Sequence, residues 1–175
     1  MHLEHLYIET ERLILRPHIL EDVQASYEMN LDVRVSRYTG DGGVVPRETI
    51  ERRIVEDVLG DYQKYGYGRQ AVVWKATGQF IGFAGLKYLE DLQEIDLGYR
   101  LCYDFWGKGI ATEAANACLE MGFNHLKLPR VIGMVLPENK TSVRVLEKLG
   151  FLFENCIEED GMTVEVYGKQ APQNG

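Results

Sequence analysis

Hydrophobic and polar positions recur along the chain with two different periods, which predict strands and helices in a definite order. Residues 7–16 alternate late in their length and stop at Pro17, as a strand does, and residues 21–30 follow as a short helix. Apolar side chains then recur every three or four residues between Pro46 and Gly66. This spacing predicts an amphipathic helix that carries proline at its start.

The middle of the chain predicts a three-stranded antiparallel meander that leads into a loop and a helix. Residues 68–76 and 80–89 flank a Thr77-Gly78 turn, and residues 93–103 supply the third strand. Small apolar residues dominate the helix after the loop, so we expect it to lie close against a sheet. Its apolar positions are Ile110, Ala111, Ala114, Ala115, Cys118 and Met121.

The remainder predicts a strand, a helix and a hairpin. Residues 130–136 form the strand, residues 141–149 form a helix closed by Gly150, and residues 151–157 and 162–168 form a hairpin that turns at Asp160-Gly161. With 175 residues, 45% of them hydrophobic, the chain has the size of one domain. We therefore predict a single domain over residues 1–175, with a core over 7–169 and a flexible tail over 170–175.

Charge and composition exclude several classes of protein. The net charge of −8 and the absence of a basic stripe argue against a nucleic-acid-binding protein. An acidic surface suits a basic substrate, although solubility explains it equally well. The N-terminal segment is interrupted by charges and lacks the apolar core of a signal peptide, and no apolar run approaches the length of a membrane span. We expect a cytoplasmic protein that does not bind a membrane.

Cysteine and histidine positions give no sign of a metal site. The three cysteines, Cys102, Cys118 and Cys156, lack metal or redox spacing, so we expect reduced thiols. The four histidines show no ligand spacing and fall outside every motif, which indicates surface or packing roles. We expect no metal.

The segment YDFWGKGIATEA, residues 103–114, places two glycines where a strand hands over to a helix. The N-terminus of a helix leaves backbone N–H groups unpaired and attracts anions, and glycine lets the backbone approach a phosphate. Other phosphate motifs do not fit, because the chain lacks G-x-x-x-x-G-K-[ST] and the loop follows an antiparallel meander. The loop therefore either makes a tight turn or binds an anion.

The element order and three quoted stretches resemble the GNAT acetyltransferase superfamily. Its signature is Q/R-x-x-G-x-G/A, which residues 106–111 match at Gly109 and Ala111, with Trp106 at the Gln/Arg position. TERLILRP, DLGYRLCYDFWGKGIATEA and PENKTSVRVLEKLGF together resemble the branch that contains ribosomal-protein N-terminal alanine and serine acetyltransferases. The resemblance implies an α/β (α+β) fold with a mixed, mostly antiparallel central sheet, flanked by helices and splayed between its fourth and fifth strands.

The resemblance also implies acetyl-CoA as co-substrate, without a metal. The backbone of residues 106–112 would hold the pyrophosphate, and a bulge near residues 101–103 would part the third meander strand from residues 130–136, so that the pantetheine arm joins the sheet as an extra strand. Lys108 either adds positive charge near the phosphates or faces solvent. Trp106 is expected to pack against the protein more than to touch the cofactor. Glu113 is expected to stabilise its helix through the helix dipole. The cofactor-binding residues so predicted are Leu101, Cys102, Tyr103, Trp106, Gly107, Lys108, Gly109, Ile110, Ala111, Thr112 and Asn139.

Direct acetyl transfer needs a neutral amine and an acid for the departing thiolate. In many superfamily members that acid is the tyrosine of N-x-x-A-x-x-x-Y, but this chain carries Leu146 at the tyrosine position. Asn139 and Ser142 remain as candidates, Asn139 for the cofactor arm or an ordered water and Ser142 for the sulfur. The alternative is that both merely cap a helix.

Candidate bases lie on the third meander strand. A period of two places Glu94 and Asp96 on one face, and the branch often carries an acidic residue at the position of Asp96. Either carboxylate acts as a base through water or anchors the amine, or both are simply solvated. Tyr38 falls where the family builds its acceptor wall, and it either binds substrate or packs.

The expected function is acetylation of a primary amine, with a protein N-terminus such as that of a ribosomal protein as the preferred acceptor. The rival acceptor is a small amine, such as a polyamine, an amino acid or an aminoglycoside. A non-catalytic acyl-CoA-binding module and a nucleotide or phosphometabolite binder are the alternatives from other classes. The family makes a homodimer plausible.

Overall fold

The computed structural model describes residues 2–39 and 42–173. Its strands are β1 (Ile8–Glu9), β2 (Leu13–Pro17), β3 (Arg69–Trp74), β4 (Gln79–Leu89), β5 (Glu94–Leu101), β6 (Arg130–Val135), β7 (Leu152–Glu159) and β8 (Met162–Gln170). Its α-helices are α1 (Val23–Leu31), α2 (Val33–Ser36), α3 (Arg47–Arg52), α4 (Leu59–Tyr65), α5 (Ile110–Glu120) and α6 (Lys140–Lys148). The π-helical segments Arg53–Val58 and Met121–His125 join α3 to α4 and extend α5.

The eight strands form one sheet in the order β1-β2-β3-β4-β5-β6-β8-β7. Every neighbouring pair is antiparallel except β5 with β6, which is parallel. This confirms the predicted mixed, mostly antiparallel sheet flanked by helices. The first predicted strand, residues 7–16, is wrong as a single strand, because the chain reverses at Thr10 and Ile8 pairs with Leu15. Because the first predicted strand corresponds to β1 and β2 together, the fourth and fifth strands of the prediction are β5 and β6.

Helices cover both faces of the sheet. α5 packs on the face that carries Leu86 and Leu97, which are cross-strand partners and buried, and α6 packs beside it on β6. Ala114 and Ala115 are fully buried there, as the small-residue helix predicted. The opposite face carries Lys87 and Asp96, and Asp61 of α4 binds Lys87 there. The sheet is therefore the middle of three layers.

The predicted amphipathic helix between Pro46 and Gly66 is present as α3, a π-helical turn and α4 in succession. It ends at Gly66, whose φ of 79° is the left-handed conformation that glycine adopts most readily. Ile50, Ile54 and Tyr62 are buried. Of the tail expected over residues 170–175, Gln170 still pairs with Arg130 in the sheet, and residues 174–175 lie outside the described part.

β5 and β6 separate immediately after they meet. The ladder joins them at a single residue pair, Asp96 with Ile132. The expected bulge near residues 101–103 is wrong, because β5 pairs with β4 without a register shift to Leu101, and the N–H of Cys102 continues that register to the carbonyl of Ile81 at 2.8 Å. The gap thus arises because β5 and β6 diverge, and not because of a bulge within β5.

The buried hydroxyl of Tyr62 fixes α4 to the sheet, and its removal tests the strength of this tie. Its side chain is 2% exposed, and its hydroxyl accepts a hydrogen bond from the N–H of His18 at 2.9 Å and donates one to the carbonyl of Arg69. Tyr62→Phe leaves both groups without this partner, so we expect the free energy of unfolding to fall by about 1–3 kcal/mol in urea denaturation. Tyr65→Phe is the control, because that hydroxyl binds Glu90 at the surface. Equal effects of the two substitutions would contradict the buried tie.

Candidate active site

A cavity of about 590 Å³ opens where β5 and β6 separate. Asp96 and Arg100 line it from one face of β5, and Leu97, Tyr99 and Leu101 line it from the other. Because successive side chains of a strand point to opposite faces, the cavity passes through the sheet beside the edge of β5. It therefore joins one side of the protein to the other through the gap.

The gap leaves one edge of β5 free. Residues 97–101 of β5 pair with β4, but they have no ladder partner in β6. Backbone N–H and C=O groups along such an edge can bind an extended chain as an added strand. The predicted splay is present, and it leaves the backbone groups of residues 97–101 without a ladder partner on that edge.

Asp96 stands at the point of divergence and is only 6% exposed. The alternative of a simply solvated carboxylate is therefore wrong for Asp96, because the side chain of Arg69 lies against it. Its carboxylate accepts a hydrogen bond from Nη2 of Arg69 at 2.7 Å, and its backbone pairs with Ile132 of β6. Burial raises the pKa of Asp96 above its usual value, and Arg69 acts in the opposite direction. Asp96 thus links β3, β5 and β6 within the cavity.

Arg69 reaches Asp96 by lying flat across β5. Its Nη1 also donates to the carbonyls of Gly85 at 2.5 Å and of Asp96 at 3.0 Å. A Cβ added at Gly98 would lie 2.6 Å from Cζ of Arg69, so a larger residue there would displace the guanidinium. The sequence gives no signal for this pair, because 27 residues separate its members.

The structure does not bring Glu94 to the cavity. Glu94 precedes Asp96 by two residues, and its carboxylate accepts hydrogen bonds from Nε of Arg130 at 3.1 and 3.2 Å. Arg130 also donates two bonds of 2.6 Å to Glu154. Glu94 thus belongs to an ion-pair network that ties β5 to β6 and β7, away from the cavity lining.

The glycine loop closes one end of the cavity. Gly107 and Gly109 have φ values of 71° and 75°, and Gly109 is the N-cap residue of α5. These left-handed conformations favour glycine and leave the loop backbone bare. The loop and the first turn of α5 contribute Trp106, Gly107, Gly109, Ile110, Ala111 and Thr112 to the lining. The tight turn therefore places a bare backbone segment at the cavity.

The side chains of Trp106 and Lys108 are both engaged by backbone carbonyls of the protein itself. The indole N–H of Trp106 donates to the carbonyl of Leu101 at 2.9 Å, which anchors the loop to the end of β5. Nζ of Lys108 donates to the carbonyl of Asp104 at 2.8 Å, and this side chain does not line the cavity. Backbone groups, more than the Lys108 charge, are what the loop offers to an anion.

Cys102 and Tyr103 also lie outside the lining. The Tyr103 ring lies under the guanidinium of Arg34, whose Cζ is 3.6 Å from the ring centre. This contact joins the loop to α2, which supplies Val35 to the cavity. Cys102 is half-buried, and burial raises the pKa of its thiol. All three cysteines are free thiols.

A brace from the N-terminal hairpin holds the loop. Glu113 accepts hydrogen bonds from the hydroxyl of Thr10 at 2.6 Å and from N and Nε of Arg12 at 2.9 and 2.7 Å. Nη1 of Arg12 also donates to the carbonyl of Lys108 at 2.9 Å. Burial acts to raise the pKa of Glu113, but these hydrogen bonds outweigh it and hold the pKa below its usual value. Glu113 is structural, as expected, and sequence reasoning missed Arg12 because it lies 101 residues away.

The first turn of α6 forms the opposite wall. Asn139 is the N-cap residue, and its Oδ1 accepts a hydrogen bond from the N–H of Ser142 at 3.3 Å. The hydroxyl of Tyr99 donates to the carbonyl of Ser142 at 3.1 Å. Asn139 and Ser142 both line the cavity, so capping and a place at the site coexist. Leu146 is buried against Gly133, where an added Cβ would lie 2.7 Å from Cδ2 of Leu146.

The other mouth of the cavity, on the face of Asp96, is lined by aromatic, apolar and charged groups. Tyr38 lies in the lining, with Cζ of Arg37 at 4.6 Å from its ring centre, and Phe83 lies beside Arg100, with Cζ 5.2 Å from the ring centre. The charged lining residues are Arg69, Arg100, Arg144, Lys148, Asp96, Glu159 and Asp160. No histidine appears among the described residues that line the cavity.

Residues 2–39 and 42–173 offer neither a metal cluster nor a helical membrane span. No group of three or more histidine, cysteine, aspartate or glutamate side chains in this part could hold a metal ion. Within the same ranges, no helix combines the length and apolarity needed to cross a membrane.

Known proteins share both the sequence and the architecture. The Bacillus subtilis N-acetyltransferase YnaD, whose function is uncharacterised, is 32% identical over 157 residues, which cover 87% of this chain and 88% of that protein. The Escherichia coli spermidine N(1)-acetyltransferase is 25% identical over 141 residues, covering 80% of this chain and 73% of that protein. A shorter match, 34% identical over 112 residues, joins 61% of this chain to 64% of the Bacillus subtilis protein YkkB.

The fold has the same kind of neighbours. A structure of the ribosomal α-N-protein acetyltransferase RimL in complex with coenzyme A superposes with a TM-score of 0.78 at 19% identity, covering 92% of this chain and 95% of that one. The family model described as the acetyltransferase (GNAT) domain matches residues 12–152, which include the glycine loop, the gap beside β5 and the first turn of α6. The chain therefore belongs to the GNAT acetyltransferase family, whose members use acetyl-CoA as co-substrate.

Proposed function

We propose that this protein transfers the acetyl group of acetyl-CoA to the α-amine at the N-terminus of a protein, such as a ribosomal protein. The observation that carries the proposal is the engagement of Asp96 by Arg69 at 2.7 Å. Among the described lining residues, Asp96 is the one buried carboxylate, and none is a histidine. The site therefore offers only modest help in deprotonating an amine.

Amine basicity then selects the acceptor. A lysine amine with a pKa of about 10.4 is neutral in about one molecule per thousand near pH 7.4. An α-amine with a pKa of about 7.8 is neutral in roughly a quarter of molecules at that pH. The neutral fraction of an α-amine therefore exceeds that of a lysine amine by more than about two orders of magnitude. A site without a strong base is for this reason better matched to α-amines.

The donor fits the gap in one direction. The bare backbone at residues 106–112 binds the pyrophosphate at the N-terminus of α5. The pantetheine arm follows the unpaired edge of β5, and Asn139 contacts it from the opposite wall. This path leads the thioester toward Ser142 and Asp96, which both line the cavity.

The reaction then needs two proton movements. The amine nitrogen attacks the thioester carbon, the carbon–sulfur bond breaks, and the thiolate takes a proton from the hydroxyl of Ser142, which solvent restores. The acceptor nitrogen gives its proton to Asp96 through water. Burial raises the pKa of Asp96, which makes this carboxylate a better base than an exposed one, although Arg69 reduces the gain.

A polyamine acceptor is the second candidate. It is favoured by the similarity to the Escherichia coli spermidine N(1)-acetyltransferase and by the exposed acidic side chains Glu159 and Asp160 in the lining. The other charged lining residues oppose it, because guanidinium and ammonium groups at Arg69, Arg100, Arg144 and Lys148 repel a polycation. A peptide has carbonyl oxygens that such donors can bind, which supports the N-terminal acceptor.

Gly109→Val tests donor binding at the loop. Valine at a φ of +75° is strained, and its side chain projects where the phosphate must approach, so we expect the dissociation constant for acetyl-CoA in calorimetry to rise at least about tenfold. Gly78→Val is the matched control, because Gly78 has the same φ of +75° and open space around it in a remote hairpin turn. Unchanged affinity in Gly109→Val, or equal losses in both variants, would refute the loop as the phosphate site.

A peptide with two amines tests the acceptor. On a basic peptide with N-terminal alanine or serine and an internal lysine, we expect mass spectrometry to find acetyl groups mainly on the α-amine. The rate should fall at high salt, because the net charge of −8 attracts a basic peptide at long range. The same peptide with a blocked N-terminus is the control and should react far more slowly. Acetylation mainly on lysine would defeat the proposal, and fast spermidine turnover without peptide turnover would establish the polyamine instead.

A further inference from the structure

Tyr99 lies where β5 has already left β6. It is three residues beyond Asp96, the last residue of β5 that pairs with β6. Its cross-strand partner is Ala84, which is buried on the face that α5 covers. From that face the half-buried Tyr99 side chain extends across the gap to α6, where its hydroxyl donates to the carbonyl of Ser142 at 3.1 Å. The phenol thus connects the two walls of the cavity.

This bond fixes Ser142 from a second direction. The N–H of Ser142 is already held by Oδ1 of Asn139 at 3.3 Å, within the same turn of α6. The bond from Tyr99 ties its carbonyl to the sheet instead. With both backbone groups held, the Cα–Cβ bond of Ser142 has one direction relative to β5, so the hydroxyl is confined to the few positions that the χ1 rotamers allow.

The tie is permanent at working pH. Burial raises the pKa of Tyr99 to about 12, so the phenol stays protonated and keeps donating its hydrogen bond near neutrality. Leu146 occupies the α6 position at which a tyrosine would approach the sulfur, and it is buried against β6. Placement of a reactive group at the sulfur therefore depends on the first turn of α6.

We propose that Tyr99 is a positioning residue for acetyl transfer, which holds the first turn of α6 across the gap and so places the hydroxyl of Ser142 against the departing sulfur. This inference rests on the proposed role of Ser142. A displacement of about 1 Å at a reacting group can cost on the order of a hundredfold in rate, so the loss of one hydrogen bond that sets this distance is visible in kcat.

A double-mutant cycle of Tyr99→Phe and Ser142→Ala tests the inference with whichever amine the enzyme acetylates. We expect each single variant to lower kcat by about tenfold or more, with the dissociation constant for acetyl-CoA changed by less than about twofold. In the Ser142→Ala background, Tyr99→Phe should change kcat by less than about twofold, because the group that it positions is gone. Tyr67→Phe, which removes a hydroxyl from another buried tyrosine, is the control and should leave kcat unchanged.

Hydrogen–deuterium exchange provides a readout that does not depend on turnover. Peptides covering residues 139–146 should exchange faster in Tyr99→Phe than in the wild type or in Tyr67→Phe, since the first turn of α6 has lost its tie to β5. Additive effects on kcat in a cycle where Ser142→Ala is impaired, or unchanged exchange in this segment, would overturn the positioning role alone. A wild-type kcat in Ser142→Ala would instead remove Ser142 as the acid, and this inference with it.

Discussion

The separation of β5 from β6 after a single residue pair, Asp96 with Ile132, is the constraint on which the rest of the structure depends. Two parallel strands that continued side by side would fill the middle of the sheet and leave no passage. Because they part, the edge of β5 keeps free backbone groups, and a cavity of about 590 Å³ crosses the sheet beside it. Asp96 stabilises the fork by accepting a hydrogen bond from Arg69 of β3 while its backbone pairs with Ile132 of β6.

Each wall of the cavity is fixed to the sheet by its own contacts. The indole of Trp106 anchors the glycine loop to Leu101, and Arg12 holds the same loop from the N-terminal hairpin. Tyr99 ties α6 to β5 on the other side. Preorganised walls reduce the entropic cost of binding a flexible cofactor arm, and they keep the reacting groups in place during transfer. The contacts that hold the fold together therefore also shape the proposed donor site.

Sequence patterns predicted much of this arrangement because they report local geometry. The apolar spacing between Pro46 and Gly66 gave a correct helix, and the two glycines before Ile110 indicated a bare loop at a helix start. The predicted bulge near residues 101–103 was wrong, because a gap between neighbouring strands needs no bulge in either of them. The reversal at Thr10 was missed, since its hydrogen bond to Leu13 leaves no change of period in so short a segment.

The chemistry of the site was predicted less well, for a physical reason. A period of two tells which residues share a face of β5, but it does not tell what packs on that face, so the sequence left open whether Asp96 is solvated, and the structure buries it. Partners distant in sequence, such as Arg69 for Asp96 and Arg12 for Glu113, follow only from the tertiary fold. For Asn139, helix capping and a place at the site were set as alternatives, but the structure shows that the same residue does both.

A crystal structure of the protein with acetyl-CoA bound is the most direct measurement of how the gap is used. The pyrophosphate should lie within hydrogen-bonding distance of the backbone N–H groups of residues 106–112, and the pantetheine amides should pair with the free edge of β5 beyond Asp96. The sulfur should then lie nearer to Ser142 than to Glu94. Acetyl-CoA bound outside the gap, with the edge of β5 left unpaired, would contradict this assignment of the site.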